Sequence, residues 1–172
     1  VTLQYTNGKD PDAVLDMITE VVGIWNHDGS IGIGFPGRVS GNHIVDAPNM
    51  GEGWEGCDMV VRLNQRLNSS VTIINDADAA ALAMAQETEG WENENILCLT
   101  LGTGIGSAWL KQGELEAGTE YGRLVHPELD CSLEQWASVR TLNEETLSIE
   151  EWAGRLSTVI DFLQEQFSPD RY

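Results

Sequence analysis

Basic residues are scarce in this sequence. Nine Lys and Arg, with Lys9 and Lys111 the only lysines, stand against 28 Asp and Glu in 172 residues, a formal net charge of −19 at pH 7. Such a surface repels phosphate backbones and anionic lipid, so binding of nucleic acid or a membrane surface would need a basic patch that the sequence does not contain. Cysteine is nearly as sparse. Cys57, Cys98 and Cys131 are odd in number, scattered and without a Cys-x-x-Cys pair, which argues against a disulfide framework or a four-ligand zinc centre. A reducing, cytoplasmic setting is the expectation, with two of the three cysteines packing as small hydrophobes inside apolar-periodic segments. No apolar run is long enough to span a bilayer. The opening Val1-Thr2-Leu3-Gln4-Tyr5 has neither a basic leader nor a long apolar stretch, so nothing points to export.

Strand and helix signals alternate. Asp10-Pro11 reads as a helix start, with Val14, Leu15, Ile18, Val21, Val22 and Trp25 at helical spacing. After a turn at residues 26–30 come a strand at Ile31 to Phe35, a break at Pro36-Gly37, a strand around His43 to Asp46 and a Gly-rich loop from Pro48 to Gly56. Cys57, Val60, Val61 and Leu67 predict a second amphipathic helix, followed by a strand at Val71 to Ile74 and an Ala-rich helix from Ala77 to Gln86. The polar stretch Glu87 to Asn95 is the expected crossing between two lobes, 1–90 and 91–172. Beyond it lie a buried strand at Ile96 to Leu101, a glycine loop at 102–106 and a strand at Ser107 to Leu110 that turns at Lys111–Glu114. The last helix opens with a Ser148/Glu151 capping box and carries Trp152, Leu156, Val159, Ile160, Leu163 and Phe167 on one face, ending at Ser168-Pro169. Residues 169–172 read as the approach to another strand. This order predicts an α/β architecture.

Four segments carry chemistry. Gly102-Thr103-Gly104-Ile105-Gly106 follows a buried strand, and glycines there let backbone N–H groups approach a phosphate. A tight hairpin turn would need the same glycines, and no Gly-Lys-Ser/Thr follows to make a Walker loop. Asn75-Asp76-Ala77-Asp78 lies where a strand meets a helix. A carboxylate there is favoured by the helix dipole and can take the proton of an attacking hydroxyl. A helix cap is the plain alternative, and it accounts for only one of the two aspartates. The third segment is Gly34-Phe35-Pro36-Gly37 with Ala47-Pro48-Asn49-Met50, and the fourth is Gly118-Thr119-Glu120-Tyr121-Gly122-Arg123. Alone, either is an ordinary loop.

Taken together, their order and spacing resemble the ROK sugar kinases over nearly the whole chain. The matching elements are Gly-Phe-Pro-Gly, Ala-Pro-Asn, Asn-Asp-Ala-Asp-Ala-Ala, Leu-Gly-Thr-Gly-Ile-Gly-Ser and Glu-Tyr-Gly. Within that family several of them are most similar to polyphosphate glucokinases, as is Leu147-Ser148-Ile149-Glu150-Glu151-Trp152-Ala153 running on to Phe167-Ser168-Pro169-Asp170. The resemblance implies a two-lobed actin-like ATPase (ribonuclease H-like) fold and transfer of a phosphoryl group from polyphosphate or ATP to the 6-hydroxyl of glucose. It implies Asp76 as catalytic base, and Gly37, Asn49, Asn75 and Glu120 around the sugar. Gly102, Thr103 and Gly104 would form the second phosphate-binding loop. Mg²⁺ would be the cofactor, with its ligand outside this chain, and a homodimer is the family-like assembly. A ring of Asn, Asp and Glu suits a polyol, since each buried hydroxyl left unpaired costs about 1–3 kcal/mol.

Three departures qualify the match. The family pattern expects Gly-His after Glu-Tyr, where this chain has Gly122-Arg123. His126 is the nearest stand-in. The Cys-rich zinc motif of many ROK proteins is missing, which agrees with the polyphosphate branch. The opening Asp-Ile-Gly-Gly-type loop and the closing Gly-Gly segment are also missing, so the chain reads as an internal fragment, incomplete at both ends and inactive alone. Two other readings stand beside the kinase: a non-catalytic sugar-binding module like the sensor half of ROK repressors, and an inactive partial chain. Glucose-dependent phosphate transfer separates them.

Overall fold

The computed structural model describes residues 10–48 and 50–172. Helix α1 (Pro11–Trp25) is followed by strands β1 (Ile31–Phe35), β2 (Arg38–Ser40) and β3 (His43–Asp46), helix α2 (Met59–Arg66), strand β4 (Val71–Asn75) and helix α3 (Asp76–Gln86). After a 3₁₀ turn at Trp91–Asn93 come β5 (Asn95–Leu101), β6 (Ile105–Lys111), β7 (Glu114–Glu116) and a 3₁₀ turn at Tyr121–Arg123. The chain closes with β8 (Val125–His126), β9 (Cys131–Ser132), α4 (Leu133–Ala137), α5 (Val139–Glu144) and α6 (Ile149–Phe167). The architecture is mixed α/β, as the alternating signals predict. Contacts divide the chain into two compact units after Ala79. The division falls inside α3, ahead of the polar stretch 87–95, because Ala81 and Ala85 on that helix pack against Ile96, Cys98, Ala108 and Leu110.

In the first unit β1 and β4 run parallel, Ile31 opposite Val71 and Phe35 opposite Asn75. Parallel neighbours need a long crossover, and β2, β3 and α2 lie on it. Alternation puts Ile31, Ile33 and Phe35 toward the core and Gly32 and Gly34 outward. That core face packs on Val14 and Leu15 of α1 and on Met59, Val60 and Leu63 of α2, with Ile44 and Trp54 also buried. Asp10 caps α1 by accepting from the Ala13 N–H at 2.8 Å, with Pro11 in the first turn. Arg62 pairs with Asp12, and Arg66 with Asp12 and Asp16, tying α1 to α2. Exposed pairs of this kind contribute about 0–1 kcal/mol each, so the apolar seam decides the packing. Val61, expected on that seam, is 44% exposed. The helix begins only at Met59, and its phase turns Val61 outward. Strand β2 went unseen in the sequence because it has three residues, two of them polar.

The second unit is built on the antiparallel meander β5-β6-β7. Ile96 and Cys98 face one side, where they meet α3, while Leu97 and Leu99 face the other, where they meet α4 and α6. Burial on both faces explains why β5 reads as an unbroken apolar run. The α6 face expected from its spacing is seated through Leu156, Val159, Leu163 and Phe167. Ile160 is instead 39% exposed, and Phe162 takes its place against the core. Trp152 donates Nε1–H to the Ala137 carbonyl at 2.8 Å, and the Arg155 guanidinium lies 4.3 Å over the Trp136 ring. The helix stops at Ser168, which is left-handed at φ 50°. Beyond it Arg171 forms a parallel bridge to Ile96, so the final residues do reach a strand. Cys57 and Cys98 are buried as expected and Cys131 is half-buried.

The Ser148 capping box is present in full. Ser148→Ala should lower stability by about 1 kcal/mol in urea unfolding. The Ser148 backbone N–H, and then its hydroxyl, hold the Glu151 carboxyl below the usual carboxylate range. A depressed folded pKa means stabilisation that is present above the unfolded pKa and lost as pH falls through the folded one. The stability gap between the native chain and Glu151→Gln should therefore be full at neutral pH and narrow on acidification.

Candidate functional site

Because β1 and β4 are parallel and in register, the chain leaves both at the same end. Open α/β sheets bind ligands outside the carboxyl ends of their strands. Pro36-Gly37 follows β1 there, and α3 follows β4. Asn75 joins the two exits. Its Oδ1 accepts from the N–H groups of Ala77 at 2.8 Å and Asp78 at 3.0 Å, while its Nδ2 donates to the Gly37 carbonyl at 2.9 Å. Asn75 is thus the cap of α3, a role that the sequence offered to one of the aspartates as the plain alternative. The helix starts one residue before the Ala-rich run, which leaves Asn75 at the capping position.

Asp76 is exposed in the first turn of α3, and its Oδ1 accepts from the Ala77 N–H at 2.9 Å. Asp78, the second aspartate, is only 2% exposed. Gly37 is buried where the end of β3 crosses it. A Cβ there would fall on the Asp46 carbonyl oxygen, with the Phe35 ring at 2.9 Å and the Ala47 Cα at 3.1 Å. Asn49 lies outside the described residues. The first unit therefore brings Gly37, Asn75 and Asp76 together, and only Asp76 presents an exposed side chain.

The glycine loop of the second unit is the tip of the β5–β6 hairpin. Leu101 pairs with Ile105, and the Gly102 N–H reaches the Gly104 carbonyl at 3.0 Å. The loop is shorter than the sequence suggested, since Gly106 is already paired with Thr100. Gly102 and Thr103 are exposed, and the Gly102 carbonyl accepts from the Val139 N–H at 2.9 Å at the start of α5. Hairpin geometry alone accounts for this turn, whose Gly102 and Thr103 are exposed at the tip.

Glu120 is held close along the same strand. The Thr119 hydroxyl donates to the Ser107 carbonyl at 2.8 Å and the Tyr121 N–H to Ser107 Oγ at 2.9 Å. Gly122 lies flat against Ile105, where any Cβ would strike the Ile105 carbonyl. Ser107 and Thr119 were not found from sequence. The only signal was one hydroxyl residue inside an apolar strand. Arg123 Nε stands 3.3 Å from Glu120 Oε2. His126 does not take up the missing histidine's place: its ring packs 4.9 Å from Phe162 and its Nδ1 accepts from the Glu128 N–H.

Among the described residues no three His, Cys, Asp or Glu side chains converge as a metal site. An open hollow of about 410 Å³ lies in the first unit, lined by Thr19, His27, Asp28, Arg66 and Asn68. Its lining includes residues that precede β1 and β4, at the opposite end from Asp76, so it takes no part in this site. The close approaches define a test. Gly37→Ala and Gly122→Ala should each cost about 1–3 kcal/mol in urea unfolding. Gly34→Ala, whose Cβ would stand 3.7 Å from the nearest atom, should change stability by no more than about 0.5 kcal/mol.

Comparison with known proteins follows the same outline. The ROK family model matches residues 4–142. Polyphosphate glucokinase of Mycobacterium leprae is 35% identical over 165 residues, covering 94% of this chain and 50% of that protein. Glucokinase of Streptomyces coelicolor is 30% identical over 150 residues, 77% of this chain and 47% of that one. The crystal structure of inorganic polyphosphate/ATP-glucomannokinase from Arthrobacter sp. strain KM matches with a TM-score of 0.84 at 31% identity, over 95% of this chain and 67% of its own. The chain thus spans about half the length of the curated relatives it matches. Family model, relatives and fold agree: the chain belongs to the ROK family and has the α/β, actin-like ATPase fold of its sugar kinases.

Proposed function

We propose that this chain carries the base-bearing and sugar-binding part of a glucokinase, which moves a phosphoryl group from polyphosphate or ATP to the 6-hydroxyl of glucose. The observation that carries the reading is the placement of Asp76. It is an exposed carboxylate at the start of α3, steadied by a backbone N–H, on the turn that Asn75 ties to Gly37. The relatives named polyphosphate glucokinase and glucokinase supply the substrate class.

In this reading Asp76 accepts the proton of the 6-hydroxyl as that oxygen attacks phosphorus. The new O–P bond forms in line while the donor's bridging P–O bond breaks. Glu120 accepts hydrogen bonds from other sugar hydroxyls, and Asn49 is a further sugar-binding residue. Asn75 and Gly37 set the position of Asp76. The amides of Thr103 and Gly104 bind the donor phosphates, on the turn that the Gly102 N–H closes. Mg²⁺ would neutralise phosphate charge in such a reaction, and among the described residues no three His, Cys, Asp or Glu side chains converge to hold it.

The test is a coupled assay for glucose 6-phosphate with glucose, Mg²⁺ and either polyphosphate or ATP. It is run on the 172-residue chain and on a chain extended to the length of the relatives. Asp76→Asn should lower kcat by about 10²–10⁴-fold and leave the glucose Kd within a few-fold. An unchanged kcat would remove Asp76 as the base. No product with either donor from the extended chain would overturn the kinase reading.

A further inference from the structure

The resemblance expects a histidine where this chain has Arg123, and the structure shows what the arginine does. Arg123 Nε lies 3.3 Å from Glu120 Oε2, with the two side chains 43% and 29% exposed. The backbone beneath them is already set. The Arg123 N–H reaches the Glu120 carbonyl at 3.0 Å, Gly122 is wedged on Ile105, and Ser107 holds Thr119 and Tyr121. The Glu120 side chain above it is a long rotor that loses considerable entropy when immobilised. To accept sugar hydroxyls it must be held in one rotamer. A guanidinium is charged at every working pH and presents its donors in a rigid plane, so it can select that rotamer. An imidazole at the same place would change charge near neutrality.

Resting on the sugar-binding reading of Glu120, we propose that Arg123 is a positioning residue that holds the Glu120 carboxylate in place as the acceptor for sugar hydroxyls. Affinity for an uncharged sugar then depends on a charge on the protein. An exposed pair three residues apart on one turn adds little to folding, so a purely structural role predicts no such link.

The experiment is calorimetric titration of glucose into the 172-residue chain and its variants, with thermal unfolding in parallel. Arg123→Ala should weaken glucose binding by about two- to tenfold, the scale of freeing one rotamer-rich side chain at a binding site, with an unchanged Tm. Arg123→Lys should recover part of the loss. In a Glu120→Gln background, Arg123→Ala should have no further effect. Raising salt from about 0.05 M to about 1 M should weaken binding to the native chain but not to Arg123→Ala. Equal or tighter binding by Arg123→Ala, with Glu120 still required, overturns this inference and leaves the sugar reading intact. If the native chain does not bind glucose, or Glu120→Gln binds it equally well, the role of Glu120 fails and this inference with it.

Discussion

One carboxamide links the chain segments around Asp76. Asn75 ends β4, caps α3 with its oxygen and holds the Gly37 carbonyl with its nitrogen. An aspartate at this position could cap the helix but could not donate to Gly37. A serine could cap it with a side chain too short to span the gap. The amide offers both polarities on separate atoms of one short arm, which is why the exit of β1 and the start of α3 keep a fixed spacing. Gly37 completes the arrangement by sparing the room that the β3 carbonyl at Asp46 occupies.

The second unit uses the same device with other groups. Ser107, buried in β6, accepts from Thr119 through its carbonyl and from Tyr121 through its hydroxyl, while Gly122 lets the loop lie on Ile105. Glu120 is therefore carried by its neighbours Thr119 and Tyr121, which bond to the strand that emerges from the glycine turn. Scarcity of base shapes the electrostatics of both units. Arg38, Arg62, Arg66, Lys111, Arg123, Arg155 and Arg171 each pair with an acid.

Much of this was readable beforehand where local chemistry decides. Asp10-Pro11 and the Ser148/Glu151 box announced helix starts, and both are present with their hydrogen bonds. The alternation in Ile31 to Phe35 announced a strand with one buried face. Elements whose pattern is short stayed hidden: β2, the β8–β9 pair, and α4 and α5, which at five and six residues are too brief to show a period. Ile160 and Val61 fit a helical stripe on paper, yet the stripe that the core buries is narrower than the apolar one and leaves both partly in solvent.

The sequence by itself determined the α/β class, the main helices and strands, and the four loops that carry the family pattern. Each of these rests on neighbours in the chain, through caps, periodicity and glycine, and such short-range terms are written in order. Tertiary structure alone decided that Asn75 and not an aspartate caps α3, that Asp78 is buried while Asp76 is exposed, and that Arg123 reaches Glu120. Two of these depend on where side chains point once distant segments, such as Gly37 and Asn75, are brought together. The third depends on a turn held in shape by Ser107 and Ile105. Direction and burial belong to the folded chain, because no local rule says which of two aspartates will find the interior.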